Sequence, residues 1–155
     1  GAFYPTNVAR QEGFDQVLWT GAREHKYIDE AGVMNVMFVI DGKLVTPKLS
    51  TAILDGVTRD SILKLAPSLG MAVEERRVSV DEVVEGMNSG KLTEAFGTGT
   101  AAVVSPIATI TIQGKDHHLP AVAPDSFHLR AKQKLNNIRM GIEPDIFGWN
   151  YLINR

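Results

Sequence analysis

The 155 residues contain no cysteine, which excludes a disulfide scaffold, a thiolate nucleophile and any zinc or iron–sulfur centre built on thiolates. There is no excess charge of one sign: 16 Lys and Arg stand against 18 Asp and Glu. A formal charge of −2 offers no electrostatic basis for binding nucleic acid or an acidic membrane surface. Long hydrophobic runs are also missing. The longest, Val33 to Ile40, already contains Asn35 and is far too short to span a bilayer. No G-x-G-x-x-G follows the first strand-like segment, no G-x-S-x-G elbow organises the serines, and no G-x-x-x-x-G-K-[ST] loop is present. A plain dinucleotide-binding domain, a serine hydrolase and a nucleoside-triphosphate site are therefore disfavoured. The chain opens Gly1-Ala2-Phe3-Tyr4-Pro5, without Met and without a basic, signal-like region. That opening fits either a processed or truncated piece of a longer protein or a trimmed expression remnant.

What is present is an ordinary globular mixture, 44% apolar and 22% charged, without repeats or a Gly/Ser linker. The expectation is one mixed α/β domain over residues 1–155, in a cytoplasmic protein. Gln16-Val17-Leu18-Trp19-Thr20 reads as a buried strand. Val36-Met37-Phe38-Val39-Ile40, Asp41-Gly42 and Lys43-Leu44-Val45-Thr46 read as a hairpin, since Asp-Gly suits a type I′ turn with φ > 0 at both central positions. A second hairpin is expected from Thr109 through Gly114 to Leu119. Ile62, Leu65, Ala66 and Leu69 form one helical stripe ending at Gly70, with Pro67 loosening the last turn. Ser79-Val80-Asp81-Glu82 is a capping-box pattern for a helix running to Gly90. Phe127, Ala131, Leu135 and Ile138 mark a third helix, ended by Gly141.

Three segments have the residue types for chemistry. Leu54-Asp55-Gly56-Val57-Thr58-Arg59-Asp60 delivers the chain into a helix whose first N–H groups, at Val57 and Thr58, are free to meet an anion. An ordinary helix start capped by Asp55 is the alternative. Phe96-Gly97-Thr98-Gly99-Thr100-Ala101-Ala102 interleaves glycines with threonines, as a phosphate- or carboxylate-binding turn does; a tight turn or bulge before the next apolar run is the alternative. Tyr27-Ile28-Asp29-Glu30-Ala31-Gly32-Val33-Met34-Asn35 sets two acids and an amide at a strand entrance, where a carboxylate either orients a cationic ring nitrogen or is simply solvated. His117 and His118 point to opposite faces of a strand and do not chelate jointly, so no metal site is expected.

Taken in order and at this spacing, Gly13-Phe14-Asp15-Gln16-Val17-Leu18-Trp19, Glu30-Ala31-Gly32-Val33-Met34-Asn35, Leu54-Asp55-Gly56-Val57-Thr58-Arg59 and Phe96-Gly97-Thr98-Gly99-Thr100-Ala101 resemble the branched-chain-amino-acid aminotransferases. These are fold-type IV enzymes that use pyridoxal 5′-phosphate. The resemblance runs from Ala2 to about Trp149 and corresponds to the large C-terminal domain, an α/β mixed-sheet pseudobarrel with flanking helices. It implies transfer of the amino group of leucine, isoleucine or valine to 2-oxoglutarate, with a small-molecule amino acid and 2-oxo acid as partners and a homodimer as the intact protein. It also implies roles. Glu30 matches the carboxylate that pairs with the pyridine nitrogen, keeping the ring an electron sink. Val57 and Thr58 match the amides that hold the cofactor phosphate, and Thr100 matches the phosphate-binding threonine. Thr100 and Ala101 match the turn that meets the substrate carboxylate.

Two departures stand out. Ala102 and Ser105 occupy the positions of a C-x-x-C redox pair found in some family members. None of the eight lysines falls at the family's Schiff-base position, which is expected just upstream of Gly1 together with a small N-terminal domain. The chain by itself is therefore expected to have no catalytic lysine and no turnover. A D-amino-acid aminotransferase or aminodeoxychorismate lyase of the same fold is the alternative enzyme. A non-catalytic binding module is the alternative from another class.

Overall fold

The hairpin encoded around Asp41-Gly42 forms the centre of the molecule. Both turn residues have positive φ, 49° and 72°, and they join β3 (Met34–Ile40) to β4 (Lys43–Pro47). The structure, a computed structural model, describes residues 2–153; Gly1, where the Met-less opening begins, lies outside the described residues, as do Asn154 and Arg155. Along one edge β3 pairs antiparallel with β6 (Leu92–Gly99); along the other it pairs with β2 (Ile28–Ala31) near its start and with β4 towards its end. Beyond these lie β1 (Leu18–Thr20) on β2, β5 (Ala72–Arg76) parallel to β4, and β7 (Val103–Pro106) on β6. The result is a seven-stranded mixed sheet, with β8 (Thr109–Ile112) and β9 (Lys115–His118) as a separate hairpin. The mixed α/β class read from the sequence is the class observed. The pseudobarrel expectation needs one refinement: the strand pairings form an open, branched sheet, and among the described residues no ladder closes it.

Helices cover both faces. Met37, Val39, Leu44, Phe96 and Val104 pack under α2 (Val57–Leu65) and α4 (Phe127–Arg139), while Val36, Phe38, Ile40, Val45 and Ala95 pack against α3 (Val80–Ser89) and Ile110 of β8. Burial on both sides explains why Val36–Ile40 is an unbroken apolar run instead of an alternating one. The stripe residues of α4, Phe127, Ala131, Leu135 and Ile138, are all buried. Pro67 has the expected effect: α2 stops at Leu65, and a 3₁₀ turn, Ala66–Leu69, leads to Gly70 at φ 75°. Only half of the capping box forms. Ser79 Oγ accepts the Glu82 N–H at 3.1 Å, but the Glu82 carboxylate turns to Arg76 at 2.6 Å.

One helix escapes the sequence reading: α1 (Phe3–Gln11), in which no residue is buried. Among the described residues no helix is long and apolar enough to cross a membrane. His117 is buried and His118 exposed, on opposite faces of β9, and the described residues hold no cluster of three metal-ligating side chains.

Candidate functional site

The site begins at the turn between β2 and β3. Gly32 and Val33 form it, with Gly32 at φ 60°, the pattern of a II′ hairpin in which the first central residue must be glycine. A Cβ at Gly32 would also collide with the Gln16 amide, and the Gly32 carbonyl accepts Trp19 Nε1–H at 2.8 Å. This tight connection sets Glu30 directly opposite Asn35, and β6 sets Thr98 opposite Asn35 on the other side. Residues directly opposite in a ladder share a face. Glu30, Asn35 and Thr98 therefore form one polar row across three strands, on the α2 side of the sheet.

The row is closed from above by the loop that enters α2. Asn35 Nδ2 donates to the Leu54 carbonyl at 2.7 Å and to Glu30 Oε1 at 3.3 Å, while the Leu54 N–H donates to the same Oε1 at 2.9 Å. Both bonds fall on Oε1; among the described residues none falls on Oε2. Gly56 lies so close that a Cβ there would collide with Asn35 Oδ1. Thr98 is 1% exposed, and its hydroxyl has no hydrogen-bond partner among the described residues. Neighbouring Asp29 has its carboxyl pushed above the usual range by burial.

At α2 itself the N-cap is Gly56, with extended backbone and no side-chain cap; Asp55 does not fill that role. This rules out the alternative of an ordinary Asp55-capped start, and it leaves the first N–H groups, at Val57 and Thr58, without a side-chain acceptor. Arg59, one residue on, is 2% exposed and donates to the Pro47 carbonyl at 3.1 Å and to Glu75 at 2.7 Å, which ties the helix start to β4 and β5. The glycine-rich segment differs from a tight turn placed between two runs. Gly97, Thr98 and Gly99 are strand residues of β6, and the turn proper is Thr100-Ala101-Ala102, closed by the Val104 N–H on the Ala102 carbonyl at 2.7 Å. Thr100 and Ala101 are exposed there, two and three residues beyond Thr98 along the chain.

The geometry thus brings Glu30, Asn35 and Thr98 to the foot of the α2 N-terminus. The sequence marks Glu30, Val57, Thr58, Thr100 and Ala101 as site residues and gives no role to Asn35, Thr98 or Gly56. The Met34-Asn35 and Gly-Thr-Gly patterns were the available signals; the missing information was that β3 pairs with β6.

Residues 3–110, well over half of the chain, match the family model described as amino-transferase class IV. The chain belongs to the class IV aminotransferases. As a class IV aminotransferase it is 44% identical over 149 residues to the probable branched-chain-amino-acid aminotransferase of Staphylococcus aureus (strain N315), a match that covers 94% of this chain and 40% of that protein. Its fold superposes on the branched-chain amino acid aminotransferase of Escherichia coli with a TM-score of 0.79 at 28% identity, over 99% of this chain and 48% of the other. The branched-chain amino acid aminotransferase of Thermobaculum terrenum, in its PLP-form, gives 0.70 at 30% identity, over 86% and 40%. The class IV aminotransferase chain thus spans less than half the length of the relatives it matches.

Proposed function

We propose that residues 1–155 are the large, cofactor-binding domain of a branched-chain-amino-acid aminotransferase, a homodimeric cytoplasmic enzyme that moves the amino group of leucine, isoleucine or valine to 2-oxoglutarate. The observation that carries this reading is the half-anchored carboxylate of Glu30, with Oε1 held by Asn35 and Leu54 and Oε2 left open beneath an uncapped helix N-terminus. That pairing suits pyridoxal 5′-phosphate, which has a basic ring nitrogen at one end and a dianion at the other. The cofactor, when bound, supplies the electron sink for the carbanion at the substrate α-carbon.

This chain's residues do the rest. Glu30 accepts the ring N–H and, as a carboxylate, keeps that proton in place. The Val57 and Thr58 N–H groups, with the α2 dipole behind them, hold the phosphate, and the Thr100 hydroxyl donates to it. The Thr100 and Ala101 N–H groups meet the substrate carboxylate. We assign the amine nucleophile to none of the eight lysines: none falls at the family's Schiff-base position, Lys43, Lys64, Lys91 and Lys134 are each paired with a carboxylate, and Lys132 donates to the Val104 carbonyl. Val33, Leu54 and Val57, 90%, 72% and 82% exposed around the site, suit a face covered by the rest of the protein and by a second subunit.

The test is steady-state turnover of the full-length protein on a panel of amino acids with 2-oxoglutarate. Leucine, isoleucine and valine are expected to lead, and Glu30→Gln to lose about 10²-fold or more, because the charge beside the ring nitrogen is removed. Near-normal turnover in Glu30→Gln, or a preference for D-amino acids, would overturn the reading.

A further inference from the structure

We infer that Asn35 is a positioning residue for Glu30, and that Gly56 is glycine because the Asn35 carboxamide occupies the place of its Cβ. The inference rests on the role given to Glu30 above. Asn35 is 5% exposed, and the two acceptors at its Nδ2, the Leu54 carbonyl at 2.7 Å and Glu30 Oε1 at 3.3 Å, have no proton to give. They fix the amide's orientation, since the reverse flip would set Oδ1 against a carbonyl and a carboxylate. Oδ1 then points to Gly56, the residue that caps α2. One carboxamide therefore links the carboxylate that would hold the ring nitrogen to the helix start that would hold the phosphate.

The nearest replacements do not do this. Aspartate lacks the donor and adds a negative charge beside Glu30. Leucine leaves the Leu54 carbonyl without its donor. With Oε1 spent on Asn35 and Leu54, Oε2 is the oxygen presented to a ring nitrogen, and its direction is set by the clamp on its sister atom. Glu30 would otherwise be a flexible side chain at a strand end, and ordering it would weaken binding.

The experiment uses the full-length protein and two probes, pyridoxamine 5′-phosphate and its 1-deaza analogue with CH in place of the ring nitrogen. Neither forms an imine with a lysine, so both report non-covalent contacts, and their affinity ratio reports the ring-nitrogen contact alone. The native protein is expected to prefer the nitrogen-containing ring by about tenfold or more, the range of a charge-assisted hydrogen bond. In Asn35→Ala and Asn35→Asp the ratio falls towards one. Gly56→Ala does the same in the native background, yet adds little on top of Asn35→Ala, because its next neighbour, Arg59 Cβ at 3.7 Å, is an ordinary contact. An Asn35→Ala protein that keeps the native ratio overturns the inference, and so does one that loses both ligands equally. Equal damage from Gly56→Ala in both backgrounds also overturns it. Should Asn35→Ala fail to fold, the ratio in Gly56→Ala decides. A native protein that does not distinguish the two rings overturns the Glu30 assignment itself.

Discussion

Glu94 of β6 holds His128 of α4 twice with one oxygen: Oε2 accepts the His128 backbone N–H at 3.0 Å and Nδ1–H at 2.6 Å. Its other oxygen accepts the Phe127 N–H at 2.7 Å. A strand carboxylate thus caps the helix, in place of Ser126 at the N-cap, which makes no cap bond there. Two orphan donors and a ring that is 2% exposed depend on one side chain. Glu94→Ala is expected to destabilise the protein by about 2–4 kcal/mol, a lost cap plus a lost charged hydrogen bond. Glu94→Gln keeps an acceptor and costs less. Urea unfolding reads both; an unchanged midpoint for Glu94→Ala would refute the staple.

Thr98→Val should move stability the other way. The Thr98 hydroxyl is buried without a partner among the described residues, and an unsatisfied buried hydroxyl costs about 1–3 kcal/mol. Valine has the same shape without that cost, so the melting temperature should rise. In the full-length protein the same substitution should weaken cofactor binding if the hydroxyl serves the site. A fall in melting temperature would show that the hydroxyl is satisfied in solution.

Gly42 tests the hairpin by backbone conformation alone. It sits at φ 72°, and a Cβ there would meet nothing within 4 Å. Gly42→Ala is therefore free of collision and carries only the left-handed penalty, about 1–2 kcal/mol, readable as a shift in the denaturation midpoint at constant slope.

Two surface carboxylates give the acid dependence. Glu74 is held below the usual carboxylate range by its hydrogen bond to Lys43 and then by Arg76. Asn137 and then Lys134 do the same for Glu143. A depressed folded value means that the stabilisation is fully present above the ordinary carboxylate pKa and is lost as pH falls through the lower folded value. Lys43→Met is thus expected to lower stability at neutral pH, with the difference vanishing in strong acid, where Glu74 is protonated in both proteins. Both partners are substantially exposed, so the difference is small and shrinks further in high salt. A difference that persists unchanged into strong acid would refute the assignment. Asp29 acts oppositely: its raised value makes its charged form a burden that is relieved on acidification, so Asp29→Asn should help at neutral pH.

The local features were legible because their causes are local. Asp41-Gly42 dictates a turn whatever surrounds it, and both residues adopt the positive φ that the turn needs. The stripe on α4 and the Ser79 cap depend on periodicity and on one side chain reaching three residues along the chain. The ordered motifs around Glu30, Val57 and Thr100 pointed to the family, whose model spans residues 3–110.

What the sequence determined by itself was therefore element type, buried stripes and family. Partners across the sheet were decided only by the tertiary structure. Alternation along β6 says which residues share a face with Thr98, but nothing local says that Asn35, on a strand more than fifty residues earlier, will lie opposite it. The same holds for Glu94 capping a helix that begins at Phe127, and for Gly56 in place of Asp55 at the start of α2. A hydrogen bond has a range of about 3 Å in space and none along the chain, so only packing chooses which carboxylate, amide and helix end meet.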